Sequence, residues 1–276
     1  MTSGRRPLLL AAAVVFFVVG VLGWRALPSG HRHLSVGAAV LVLLVLAPLT
    51  TLLNGLEFVE VARLVGQRPP LRRALHIAVL GTAANLLPVP GAVLVRVDAL
   101  RRGGTSVGRS TAASVCAAFF WAAAAALVAG IALLTSQLVL AALLLAASFV
   151  LGFGGLTTAS RVARVAGGRP GLLGLALVEL ATVIVGAVRL MVIGSGLGGG
   201  IGFGQGAGLG LASIAAAAAG VFPGGLGLRE ALSAALAPIL DLPAAVGAVA
   251  ATFDRLLGLP AVIAAALVLS RRNSRQ

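Results

Sequence analysis

Residues Phe222–Glu230 read "FPGGLGLRE". A proline, three glycines and an adjacent Arg-Glu pair interrupt the run 206–240, which is otherwise rich in Ala, Leu and Gly. Proline inside a helix removes a backbone hydrogen bond and clashes with the preceding turn. Glycine adds backbone freedom. A charge at the centre of a membrane helix costs about 2.5–3.5 kcal/mol on insertion scales. The stretch therefore marks a broken helix that carries charge where charge is expensive.

The surroundings make that cost real. The 276 residues are 59% hydrophobic and 10% charged, with mean hydropathy +1.09; a soluble domain carries about 25% charged residues. Apolar runs at 7–27, 34–54, 74–100, 110–134, 137–158, 171–194, 206–240 and 243–270 approach or exceed the roughly 20 residues that span a hydrocarbon core. They are too long and continuous for the alternating strands of a barrel. The expected class is an all-α polytopic membrane protein, one transmembrane domain over 1–276 with no soluble domain. The first run is read as a retained transmembrane helix, because no small-x-small cleavage site follows it.

The net charge is +14, and all 21 basic residues are arginine. They cluster between the apolar runs, which fits membrane orientation and attraction to anionic lipid; nucleic acid is not an expected partner. The lone Cys116 cannot form an internal disulfide. The chain shows no metal-type Cys/His spacing and no Ser/His/Asp or Cys/His constellation, so no metal, cofactor or enzymatic activity is expected. The G-x-G-x-x-G match in the linker 194–206 lacks the strand and the acidic residue of a dinucleotide site. The segment 57–68, with Glu57, Glu60, Arg63 and Arg68 among Leu and Val, reads as an amphipathic helix on the cytoplasmic surface.

Arginine placement sets the topology. Arg-rich segments lie at 5–6, 63–73, 101–109, 161–169 and 271–275, whereas Thr135-Ser136 and 196–205 carry no charge. With the N-terminus cytoplasmic, 74–100 begins and ends inside and 206–240 begins and ends outside. Both become re-entrant hairpins, of opposite orientation, beside about six full spans. The C-terminus is also cytoplasmic, and the membrane is the cell membrane. A repeat agrees: 90–96 is "PGAVLVR" and 223–229 is "PGGLGLR", each followed by an acid, Asp98 or Glu230, and by Ala-Leu. The expected helix breaks are Pro88, Pro90 and Gly91 in the first copy and Pro223, Gly224 and Gly227 in the second. Inverted repeats with broken helices are a transporter design.

The candidate binding residues are the charges at depth: Arg96, Asp98, Arg229, Glu230, Asp254, Arg255 and Glu179, with Arg189 beside Glu179 on one run. Guanidinium matches phosphate in a two-pronged way, so Arg96, Arg229 and Arg255 would hold an anionic headgroup. The acids would balance them or meet a cationic headgroup. Alternatively these charges pair only with one another. A transporter would show a lateral cavity lined by the arginines, and a scaffold a sealed, paired cluster.

"NLLPVPGAVLVRVDALRRGG", from Asn85, and "FPGGLGLREAL…FDRLLGL", up to Leu259, resemble the two signature regions of the lysylphosphatidylglycerol synthase/flippase transmembrane family. That family includes bacterial and archaeal membrane proteins and the flippase part of the multiple peptide resistance factor. The resemblance covers roughly 35–270. Its more specific part is Pro223, Gly227, Arg229 and Glu230, then Arg255. It implies translocation between leaflets of an anionic or aminoacylated phospholipid, or of a polyprenyl-phosphate-linked headgroup. The alternative is a non-transporting scaffold for a cell-envelope glycosyltransferase or lipid-modifying enzyme, with that enzyme or a second copy of the chain as protein partner. Two departures stand out: Ala92 occupies the place of an acid, and Ala118-Phe119-Phe120-Trp121 stands where the family carries a Glu-Arg pair. No stretch reads as an aminoacyl-transfer domain, so synthesis of lysyl-lipid is not expected.

Overall fold

The computed structural model describes residues 5–85, 91–166, 172–219 and 225–273. Among them every regular element is a helix. α1 (Arg5–Ala26) is followed by α2 (Val36–Leu41), which continues through a π-helical turn, Val42–Leu46, into α3 (Ala47–Leu64). Proline at position 48 would clash with the carbonyl of Leu44 in α geometry, and the widened π turn before it relieves that clash. Then come α4 (Leu71–Ala84), α5 (Gly91–Arg102), α6 (Val107–Ala132), α7 (Leu138–Ala166) and α8 (Leu172–Gly196). α9 (Phe203–Ala219), α10 (Leu228–Leu236) with a 3₁₀ turn at Ala237–Leu240, and α11 (Ala244–Asn273) complete the chain.

Five helical stretches are long and apolar enough to cross a membrane: Val36–Leu64, α6, α7, α8 and α11. Apolar side chains such as Phe149, Val150 and Phe153 on α7 are exposed, as lipid-facing residues must be. The chain is thus a membrane-embedded, all-helical protein. The runs 74–100 and 206–240 are each divided into two helices. Gly91 opens α5 and Gly227 caps α10, while Pro88, Pro90, Pro223 and Gly224 lie outside the described residues. The segment 57–68 is not a separate surface helix. Residues 57–64 extend the second span, because Phe58, Val59, Val61 and Ala62 are buried and supply an inward face where the charge pattern suggested a water-facing one.

The chain forms two compact units. Unit 1 contains Met1–Pro48, Asn85–Gly91 and Val185–Ala261; unit 2 contains Leu49–Ala84, Ala92–Ile184 and Val262–Gln276. In unit 1, α1 meets α11 through small residues. A Cβ on Gly23 would lie 3.1 Å from Ala248 Cβ, and Gly20 faces Thr252, the close approach that glycine permits between membrane helices. One turn along, the Trp24 and Phe253 rings sit 5.8 Å apart. In unit 2 the core gathers Phe58, Val61, Leu100, Cys116, Val162 and Leu175 from five helices. α6 and α7 form its longest seam, where Gly154 and Gly155 receive Phe119 and Phe120, and the Ser148 hydroxyl donates to the Ala123 carbonyl at 2.8 Å.

This seam gives a test of packing. A Cβ at Gly155 would lie 3.1 Å from the Phe120 ring, whereas one at Gly186 meets nothing within 4 Å. Gly155→Val should lower the unfolding midpoint of the detergent-purified protein, at a cost of about 1–3 kcal/mol for overpacking. Gly186→Ala should leave the midpoint unchanged or raise it.

Candidate functional site

The break at the opening stretch creates the first charged cluster. Gly227 has φ +79°, a conformation that glycine reaches without Cβ strain. A Cβ there would also press into Val15, 2.7 Å away. Glu230, three residues on and fully buried, accepts the Gly227 N–H at Oε2 (2.8 Å). This is half of a capping box; glycine has no side chain to complete it. The other carboxylate oxygen of Glu230 accepts Arg255 Nε at 3.0 Å.

Successive residues on a helix point about 100° apart, so Arg229 turns to a different partner. Its Nη2 donates to Asp254 Oδ2 at 2.6 Å. The dyad Arg229-Glu230 on α10 is thus matched by Asp254-Arg255 on α11, acid to base. Asp254 carries a second arginine: Arg189 Nη2 on α8 reaches its backbone carbonyl at 2.8 Å and Oδ1 at 2.9 Å. Gly258, one turn beyond Asp254, makes room; a Cβ there would lie 3.1 Å from Arg189 Nη2.

All five charges belong to unit 1. The acids lie innermost, while the Arg229 and Arg255 side chains keep 17% and 14% of their surface exposed. Three guanidiniums face two carboxylates, and the remaining acid of the unit, Asp241, is exposed. The cluster carries a net positive charge. Arg229 Nε and the Ser233 hydroxyl, one turn apart on α10, are buried without a hydrogen-bond partner among the described residues.

The second cluster lies in unit 2. Arg96 on α5 forks onto Glu57 of α3, with Nη1–Oε1 at 2.5 Å and Nη2–Oε2 at 2.6 Å. Glu179 on α8 is 2% exposed and faces the Glu57 carboxyl and the Arg96 guanidinium. Asp98 is elsewhere: its side chain is 53% exposed and pairs with Arg102 one turn along α5 at 2.6 Å. Of the sequence candidates, Arg229, Glu230, Asp254 and Arg255 come together in unit 1, and Arg96 and Glu179 in unit 2.

Glu57 and Arg189 complete the two clusters. Glu57 escapes sequence reading when the second apolar run is ended at residue 54; its signal is its place within the continuous helical stretch Val36–Leu64. A recess of about 260 Å³ in unit 2 is lined by Phe58, Gln67, Arg68, Arg73 and Ala99 and holds none of the candidate charges. Among the described residues no group of three His, Cys, Asp or Glu side chains is placed to hold a metal ion. No protein-family model, curated protein or solved structure matches the chain.

Asp254 pairs with two arginines at once, so its loss should be the most damaging single change in the first cluster. Asp254→Asn should destabilise the protein by about 3–5 kcal/mol, the cost of leaving buried charge uncompensated, read as unfolding in detergent. Asp98→Asn should be silent in the same assay, since an exposed i,i+4 pair contributes little.

Proposed function

We propose that the chain is a lipid flippase-like membrane protein in which the unit 1 cluster receives an anionic headgroup. The ligand class is a phosphate carried by a phospholipid or a polyprenyl chain. The observation that carries this reading is the imbalance of the cluster. Three guanidiniums over two carboxylates leave a buried excess of positive charge, and Arg229 Nε–H and Ser233 Oγ–H are unused donors on one face of α10. A phosphate oxygen would supply both the missing charge and the missing acceptor. The Arg229 and Arg255 side chains are more exposed than the acids they pair with, so the part of the cluster that is reachable is positive.

The finer architecture belongs to this reading. α4 and α5, with 14 and 12 residues, extend about 21 and 18 Å at 1.5 Å per residue. α9 and α10, with 17 and 9 residues, extend about 26 and 14 Å on the same rise. Each falls short of the roughly 30 Å hydrocarbon core, which supports two re-entrant hairpins. The five long stretches and α1 would then be the six full spans, with both termini cytoplasmic in a cell membrane. The resemblance to the lysylphosphatidylglycerol synthase/flippase transmembrane family points the same way. A second reading, a scaffold whose charges lock its own helices together, is favoured by the engagement of Asp254 and Glu230 by arginine.

Reconstitution into vesicles with leaflet-labelled lipids separates the two. Wild type should translocate an anionic phospholipid or polyprenyl-phosphate. Arg229→Ala leaves Asp254 paired with Arg189 and should slow translocation by roughly 10- to 100-fold, the worth of one charge-assisted hydrogen bond. Rates equal to wild type would remove the site, and no translocation by wild type would favour the scaffold. For topology, Cys116 is buried, so introduced cysteines can be read against it. Gly103→Cys should label from the cytoplasm and Gly199→Cys from outside; labelling of position 103 from outside would rule out the first hairpin.

A further inference from the structure

We propose that Glu57 and Glu179 form a proton-binding site in the core of unit 2, one proton shared between two carboxyls with Arg96 as their single counter-charge. The inference concerns unit 2 alone and does not depend on the lipid reading.

Three observations converge. First, the planar fork of Arg96 is matched nitrogen for oxygen by Glu57, so one positive charge is already balanced by one negative. Second, Glu179 is 2% exposed, and its Oε1 is buried with no hydrogen-bond partner among the described residues. Ionised, it would be an uncompensated buried anion. Third, α8 packs directly on α3, where a Cβ on Gly174 would lie 2.8 Å from the Glu60 carboxyl carbon, and this packing turns Glu179 toward the Glu57 carboxyl. Two carboxylates that face one another repel, and a hydrogen bond between them requires a proton on one. Carboxylate dyads of this kind ionise in two steps and hold a proton between them.

The other groups facing Glu179 do not supply a substitute charge. From α3, Glu60 adds a further acid; a Cβ on Gly174 of α8 would lie 2.8 Å from its carboxyl carbon, and its own partner is the exposed Arg63. From α6 comes the Cys116 thiol, whose Sγ donates to the Gly155 carbonyl at 3.5 Å. From α5 comes Arg96, already engaged. The Arg96 and Glu57 side chains remain 17% and 11% exposed, so a proton reaches Glu179 by way of Glu57. The chemistry also defines the conservative variant. Glutamine keeps the shape and hydrogen-bonding capacity of a protonated carboxyl, so Glu179→Gln should be tolerated, whereas Glu57→Gln strips Arg96 of its partner.

The test is infrared difference spectroscopy on the full-length protein in detergent, titrated with acid and base and repeated in D₂O. The expected result is one deuterium-sensitive protonated-carboxyl band at neutral pH. Glu179→Gln should lose that band with an unchanged unfolding midpoint, and Glu57→Gln should unfold at clearly lower temperature. A spectrum with no such band, or a Glu179→Gln protein as unstable as Glu57→Gln, would overturn the proposal, because both mean that Glu179 is ionised and paired. A band displaced by added sodium would overturn it too, by showing a metal-cation site instead.

Discussion

Charge neutrality inside a medium that cannot solvate charge is the constraint on which the structure depends. An unpaired ion at depth costs several kcal/mol, and its neighbours must supply what water does not. Asp254 is where that constraint is strongest. It is buried, it accepts from Arg229 of α10, and it holds Arg189 of α8 by both side chain and backbone. Three helices are thereby tied at one residue. The geometry of unit 1 around it follows from the need to bring two guanidiniums to one carboxylate, with glycine at position 258 clearing the space.

The break in the chain and the charge beside it are one device. A helix of nine residues is too short to be stable alone, and α10 has that length. It persists because its start is held on both sides of Glu230, by the Gly227 amide and by Arg255. Glu230 accepts that amide, and the φ of +79° that Gly227 adopts is one that glycine reaches without Cβ strain. Removing the acid would take an acceptor from both the Gly227 amide and the Arg255 guanidinium.

Much of this was legible in the sequence, for reasons that are local. Apolar runs give helices, and in 74–100 and 206–240 the glycines that the sequence marks, Gly91 and Gly227, stand at the starts of α5 and α10. The offset between adjacent residues already required Arg229 and Glu230 to have separate partners. What the sequence withheld was tertiary. Nothing in the composition of the Glu57 segment distinguishes a wet face from a buried one, because Glu and Arg at helical spacing suit either. The choice is made by Phe58 and Val61 packing in the core of unit 2. The value of Arg189 likewise appears only when Asp254, 65 positions later, comes within reach.

The two clusters fail neutrality in opposite directions. In unit 1 the count leaves a cation over; Arg229 Nε and Ser233 Oγ lack acceptors, and Asp254 Oδ1 is engaged only through its ion pair with Arg189. In unit 2 it leaves a carboxylate over, with an acceptor that lacks a donor. A protein whose charges served only to lock its helices would do better with matched pairs, since any remainder destabilises the fold it is meant to hold. On the two proposals each remainder marks a visitor: an acceptor of hydrogen bonds carrying negative charge in the first cluster, and a proton between two carboxyls in the second.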